Sequence, residues 1–311
     1  MYLKEPWSEG GDGDGGGGGA ASAAVAGFGQ PPLQRDDDSA SVGELVAALS
    51  RRRMYREVTL SLRSGLRDAA AEFSFLRLRG LRKLLKSLQS IAGNDAAIAL
   101  FCQSQSIPEL QVVPVLFQNT LRQSKDQPKL KLDHIFGVEP LKINSPATDS
   151  EMALALRVLE GCCLIHRQSR DLAQHHNGIK VLVNILSTRG ALEQGACLDA
   201  FLSLMVDSSA NQREFEISGG YETVVECMKD VEADESIRLK CGEFLLLLLG
   251  QVNGRAEPPF AAMHGNLTRL VGEKCASLMW AASQFGSTLD PEQRQMALSI
   301  QARRVLEALE T

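Results

Sequence analysis

Apolar positions between Glu151 and Leu249 recur at the spacing of a helix face, and the pattern itself repeats. Ala155, Leu156, Leu159, Cys162 and Cys163 form one such stripe. Cys197, Leu198, Phe201, Leu204 and Met205 form it again, and Leu239, Phe244 and Leu247 start it a third time. The positions Leu159, Phe201 and Phe244 are 42 and 43 residues apart. Between them lies a second phrase. It is His176-Asn177-Gly178-Ile179-Lys180-Val181-Leu182 once, then Ser218-Gly219-Gly220-Tyr221-Glu222-Thr223-Val224. Gly178 and Gly220 are also 42 residues apart. A period of about 40–47 residues, with a glycine turn opening an apolar helix, is the pattern of armadillo and HEAT arrays. One unit cannot bury its apolar face alone, so neighbours must stack. The expected fold is all-α: an armadillo/HEAT-like, right-handed solenoid of helical repeats with a disordered N-terminal tail.

The flanks divide the rest of the chain. Residues 1–42 are glycine-rich and low in complexity, and are expected to be a disordered tail. Residues 43–123 are expected to hold N-terminal helices, as divergent repeats. Ser41 is a candidate N-cap, with Glu44 three residues on. Leu45, Leu49, Met54, Val58, Leu60 and Leu62 then predict one or two helices. Leu76, Leu78, Leu81, Leu84, Leu85, Leu88 and Ile91 predict a clear one over Phe73–Ile91, stopped by Gly93-Asn94-Asp95. Asp95 is the expected cap of a helix over 96–102, and another is expected from Ile107 to about Leu121. Residues 124–150, with Lys129-Leu130-Lys131-Leu132 and two prolines beyond, read as a connecting loop and candidate insert for a partner. Asp149 or Ser150 is expected to cap the first repeat of the 151–253 array. Gly254 and Pro258-Pro259 are expected to end that array. Residues 254–311 are expected to close it with two capping helices, one carrying Leu270, Val271, Cys275, Leu278 and Met279. The other starts at Asp290-Pro291.

Composition narrows the function more than it defines it. A net charge of −5 argues against the chain as a whole being a nucleic-acid binder. Seven cysteines, an odd number set mostly at apolar helix positions, look like reduced core thiols of a cytosolic or nuclear protein. No secretory signal is visible, and the longest apolar run, 244–249, is too short to span a bilayer. Residues 51–90 are the exception in charge: eleven basic side chains stand against Glu57, Asp68 and Glu72. They read either as solvated faces of amphipathic helices or as a surface for an acidic partner, a membrane or nucleic acid. No aromatics interleave with these arginines as a single-strand platform needs.

Catalytic chemistry is hard to place. Cys162, Cys163, His166, His175 and His176 fall within 15 residues, and Cys162 with His166 share one helix face. Yet there is no paired CxxC and no HExxH, so core thiols and turn histidines are the better account. No cysteine has an arginine six positions on, as a tyrosine-phosphatase loop requires. Nucleotide-binding and serine-hydrolase signatures are also missing. No catalytic, cofactor-binding or metal-ligating residue is therefore assigned. What remains are polar residues at repeat edges: Arg157, Arg167, Arg170, Arg213, Arg238 and Lys240. These are candidate partner-binding residues on one ridge of the array, or else solvated positions. Asp207 and Asn211 are expected to bond turn backbone.

Three runs carry a resemblance. They are Leu156-Arg157-Val158-Leu159-Glu160-Gly161-Cys162-Cys163-Leu164-Ile165-His166, then Leu204-Met205-Val206-Asp207-Ser208-Ser209-Ala210-Asn211-Gln212-Arg213-Glu214-Phe215-Glu216, and Ile237-Arg238-Leu239-Lys240-Cys241-Gly242-Glu243-Phe244-Leu245. Together they resemble the scaffold family of the septation initiation network, cell division control protein fourteen, and not the phosphatase of that name. The glycine-rich head and C-terminal extension look like its plant-type members. The resemblance implies a non-catalytic scaffold that binds a germinal-centre-class protein kinase in cytokinesis signalling, with other signalling scaffolds as further partners. It implies a place in the cytoplasm and at the spindle pole or division site. The alternative is a membrane-surface or cargo adaptor working through the basic 51–90 region.

Overall fold

The computed structural model describes residues 36–122, 146–253, 260–283 and 290–310. Two compact units divide at Ala47. The described residues of the first, 36–47, are helical, and the core runs through the second from Val58 to Leu306. Every regular element among the described residues is a helix. Residues 1–35 of the expected tail, residue 123 and 124–145 of the expected connection lie outside the described residues, as do Gly254 and Pro258-Pro259.

Helix α1 spans Asp36–Ala69 without a break. Residues 36–42 are therefore helix rather than tail, and Ser41 is not an N-cap. No proline lies between Pro32 and Pro108 to interrupt the helix. The expected apolar stripe divides by depth: Val58 and Leu62 are buried, whereas Leu45, Leu49 and Leu60 are exposed. Helix α2 (Ser74–Ala92) buries Leu81, Leu84, Leu88 and Ile91. Asn94, not Asp95, caps α3 (Asp95–Ser104), its side chain accepting from the Ala97 N–H. The single helix expected from Ile107 is a 3₁₀ turn, Pro108–Leu110, followed by α4 (Val112–Gln118). The buried Gln105 side chain separates them, donating to Leu110 O and accepting from Val112 N.

The repeated stretch folds as two triplets in the same order. The first is α5 (Asp149–Ile165), α6 (Gln168–His175) and α7 (Gly178–Thr188). The second is α8 (Ala191–Met205), α9 (Ser209–Ile217) and α10 (Gly220–Lys229). Neither Asp149 nor Ser150 caps α5. Thr148 does, in a capping box closed by Glu151. The residue before each third helix is left-handed: Asn177 at φ 54° and Gly219 at φ 74°. The glycine that follows is needed for space. A Cβ on Gly220 would lie 2.3 Å from the Phe215 ring, and one on Gly178 2.8 Å from the Ala173 carbonyl oxygen. Ala173 and Phe215 are themselves 42 residues apart, so the same contact recurs with a different filler.

The chain continues with α11 (Glu235–Asn253), α12 (Phe260–Val271), α13 (Glu273–Ser283) and α14 (Pro291–Glu310). Three helices thus follow the array where two were expected. Gly272, at φ 85°, divides the stripe from Leu270 to Met279 into α12 and α13. Asp290 does cap α14, accepting from the Gln293 N–H at 2.8 Å. Helices α2, α5, α8, α11 and α14 pack each on the next in one row. Helices α7, α10 and α12 neighbour one another in turn beside it. Phe201, Phe215, Tyr221 and Phe244 join two repeats: Phe215 lies 5.1 Å from Phe201, 5.1 Å from Tyr221 and 5.8 Å from Phe244, centroid to centroid. Such aromatic pairs add about 0.5–1.5 kcal/mol each beyond their area burial.

Candidate partner-binding surface

The row of long helices sets charged side chains side by side on its outer edge. Lys240 of α11 donates to Asp199 of α8 at 2.6 Å, and its chain passes over Gly195. Glu160 of α5 sits close enough to this pair that partial burial, helped by Asp199, raises its carboxyl above the ordinary range. Lys240 and Arg157 oppose that rise. Arg157 itself is exposed. The result is a polar band of both signs, drawn from three successive long helices.

The other candidate arginines separate by depth. Arg167 and Arg213 are exposed, one at the start of α6 and one in α9. Arg170 is buried. Its Nε donates to the Cys163 carbonyl at 3.1 Å, and Nη1 donates to the Val206 carbonyl. It closes the end of α5 and ties it to the end of α8. Gln212, 42 residues on, closes the end of α8 in the second triplet, donating to the Met205 carbonyl at 2.9 Å. Arg238 is buried too. Nε donates to the Met228 carbonyl at 3.1 Å and Nη2 to the Glu310 carboxylate, so it holds the end of α10 to the end of α14. Arg157, Arg167, Arg213 and Lys240 therefore offer atoms to solvent, while Arg170 and Arg238 spend theirs on backbone and carboxylate within the fold. As expected for Asn211, its side chain donates to backbone, to Leu204 O at 2.9 Å.

Sequence reading missed one ladder that was there to find. Glu151, Glu193 and Glu235 are each 42 residues apart and lie in the first turns of α5, α8 and α11, where helix dipoles favour carboxylates. Glu151 is fully buried and paired with the buried Arg77 of α2 at 3.2 Å. Glu193 is buried beside Asp149, and burial raises its carboxyl. Glu235 is exposed and lies 3.7 Å from Arg303.

The suspected cysteine–histidine group is dispersed. Cys162 is buried, His166 accepts or donates at Ser169 Oγ (2.9 Å) and meets Phe101 edge-on, and His176 stacks on Phe117. Among the described residues, no group of three His, Cys, Asp or Glu is placed to hold a metal ion. Burial pushes five of the seven thiols up, Cys163 to about 12, and the hydrogen bond with Cys227, together with burial, raises Cys241. Cys227 alone is lowered, through its hydrogen bond with Cys241. No helix among the described residues is long and apolar enough to cross a membrane.

The regular elements among the described residues are all helices, one three-helix order occurs twice among them, and the chain matches a family of cell-division components. The chain is a member of the family of cell division control protein 14, SIN component, whose model matches residues 131–302. The match takes in α5–α13 and most of α14, and leaves α1–α4 outside it. No curated protein matches the chain. Two solved structures of engineered proteins are similar over 80% of it. One is 14% identical with a TM-score of 0.45, covering 98% of that chain. The other is 12% identical with a TM-score of 0.43, covering 96%.

Proposed function

We propose that this protein is a non-catalytic scaffold that binds a germinal-centre-class protein kinase in septation and cytokinesis signalling. Family membership carries the proposal, and the runs 156–166, 204–216 and 237–245 that carry the resemblance fall inside the matched span. The helix order and the 42-residue recurrence support reading 151–253 as armadillo-like repeats of a solenoid. On that reading 43–123 holds divergent repeats and 254–311 the cap. Work at the spindle pole or division site, from the cytoplasm, and contact with other signalling scaffolds belong to the same proposal.

The exposed Arg157, Arg167 and Arg213, with Lys240, which shares the Glu160 neighbourhood with Arg157, are the proposed contacts. They are charged, accessible and distributed along successive repeats, as an extended binding surface of this kind requires. The test is direct binding of the full chain to a purified kinase of that class, by interferometry. The triple change Arg157→Glu, Arg167→Glu, Arg213→Glu is expected to weaken binding at least about tenfold, the measure of 1.4 kcal/mol. Its circular dichroism should be unchanged, because all three side chains are exposed. Kinase binding retained in full by that variant would move the site off this ridge, and no binding by the parent would sink the scaffold reading.

A further inference from the structure

The basic side chains of α1 and α2 lie outside the family match and are not used by the ridge. These two helices touch backbone to backbone where Gly65 meets Gly80. A Cβ on Gly80 would be 2.3 Å from Ala69 N and 2.7 Å from Gly65 O. That approach gathers Arg67, Arg79 and Lys83 around the Asp68 carboxylate, at 3.7, 2.9 and 2.9 Å. Three cations on one shielded anion leave a surplus of positive charge at the crossing.

Two stripes lead away from it. On α1, Arg56, Leu60, Arg63 and Arg67 fall at the four-, three- and four-residue steps of one face, all exposed. On α2, Phe75, Arg79, Arg82 and Lys86 do the same. Arg56, Arg63, Arg82 and Lys86 make no ion pair among the described residues. At the turn between the helices stand Phe73 and Phe75, 63% and 68% exposed, with ring centroids 6.0 Å apart.

We propose that the α1–α2 hairpin docks on an anionic lipid bilayer. The cations meet headgroup phosphates and carboxylates, and Phe73 and Phe75 enter the interfacial layer beside them. An acidic polypeptide would satisfy the arginines and leave both rings in water, whereas a bilayer interface takes charge and ring together. Leu60, exposed within the α1 stripe, adds to the apolar contact. Docking of this sort is peripheral and reversible. It is independent of the kinase reading, because the two sets of residues do not overlap.

The experiment is flotation of the full chain with phosphatidylcholine vesicles, with and without phosphatidylserine. Binding is expected only to the anionic vesicles, falling steeply as salt rises from about 0.1 M to about 1 M, where the screening length drops from ~10 to ~3 Å. Arg63→Glu with Arg82→Glu and Lys86→Glu, all three without an ion pair among the described residues, is expected to weaken binding by about 100-fold or more. Phe73→Ser with Phe75→Ser is expected to weaken it about tenfold at unchanged charge, since ring burial is lost. No binding to phosphatidylserine vesicles by the parent chain would overturn the proposal. So would binding that withstands both sets of changes. Binding to soluble polyglutamate as tight as to vesicles, and indifferent to the phenylalanine changes, would overturn it in favour of an acidic polypeptide.

Discussion

A charge buried in the core depends on its partner. Arg77 and Glu151 are both buried, and they pair across α2 and α5. Removing one partner leaves a bare charge in the core, so Arg77→Met is expected to cost about 3–5 kcal/mol in urea unfolding, and Arg77→Met with Glu151→Met less than that. Asp68 titrates instead of simply standing paired. Its hydrogen bonds from Lys83 and Arg79 hold the carboxyl at about 2. The folded carboxyl is depressed below the unfolded range near 3.9, so its stabilisation is present above that range. It is lost as the pH falls towards about 2. Asp68→Asn is expected to flatten the acid limb of a stability-versus-pH curve over that window while leaving neutral to alkaline values parallel. An acid limb as steep as the parent's would show that other carboxylates set it. Arg170 completes the set: Arg170→Ala orphans the Cys163 and Val206 carbonyls, and is expected to destabilise by about 1–3 kcal/mol.

At the scale of elements, turns decide where helices can begin. Gly219 and Asn177 occupy equivalent left-handed positions ahead of α10 and α7. Asn visits that region at small cost and a β-branched residue does not. Gly219→Asn is therefore expected to leave the thermal midpoint nearly unchanged, whereas Gly219→Val lowers it. Equal losses from both changes would mean that something other than φ is at stake. Gly220 is a separate case, because its conformation is ordinary and its constraint is the Phe215 ring. Gly220→Ala overpacks a fully buried aromatic cluster and is expected to cost about 1–3 kcal/mol.

For the whole molecule, each helix of the main row rests on the next, so its last member covers what would otherwise be an apolar face. Gly242 of α11 lies against Ala302 of α14 (a Cβ there would be 3.3 Å from the Ala302 Cβ), and Arg238 reaches Glu310. Deleting residues after 253 removes α13 and α14 and uncovers the face of α11 that carries Gly242. The shortened chain is expected to bind a hydrophobic dye and to associate in sedimentation, as an array without its cap does. A monodisperse, dye-silent truncation would show that α11 is stable without α13 and α14.

Much of this was legible in the residues alone. The all-helical character, the 42-residue recurrence, the turn glycines Gly178 and Gly220, the Asp290-Pro291 start of α14 and the family itself are matters of local spacing and residue type. Helix faces, left-handed turns and caps act over a few residues, so a linear pattern records them. Cap identity was less secure, as Thr148 and Asn94 show, since neighbouring Ser, Thr, Asp and Asn all qualify and only backbone geometry chooses. The depth of individual charged side chains was not legible. Arg157 and Arg170 look alike in the chain, yet one faces solvent and the other ends on two carbonyls. Phe73 and Phe75 are large and apolar, yet stand exposed at a turn. Whether a charge is spent inside or offered outside depends on which helices arrive from 36, 41 or 74 residues away, and that long-range packing is what tertiary structure alone decides.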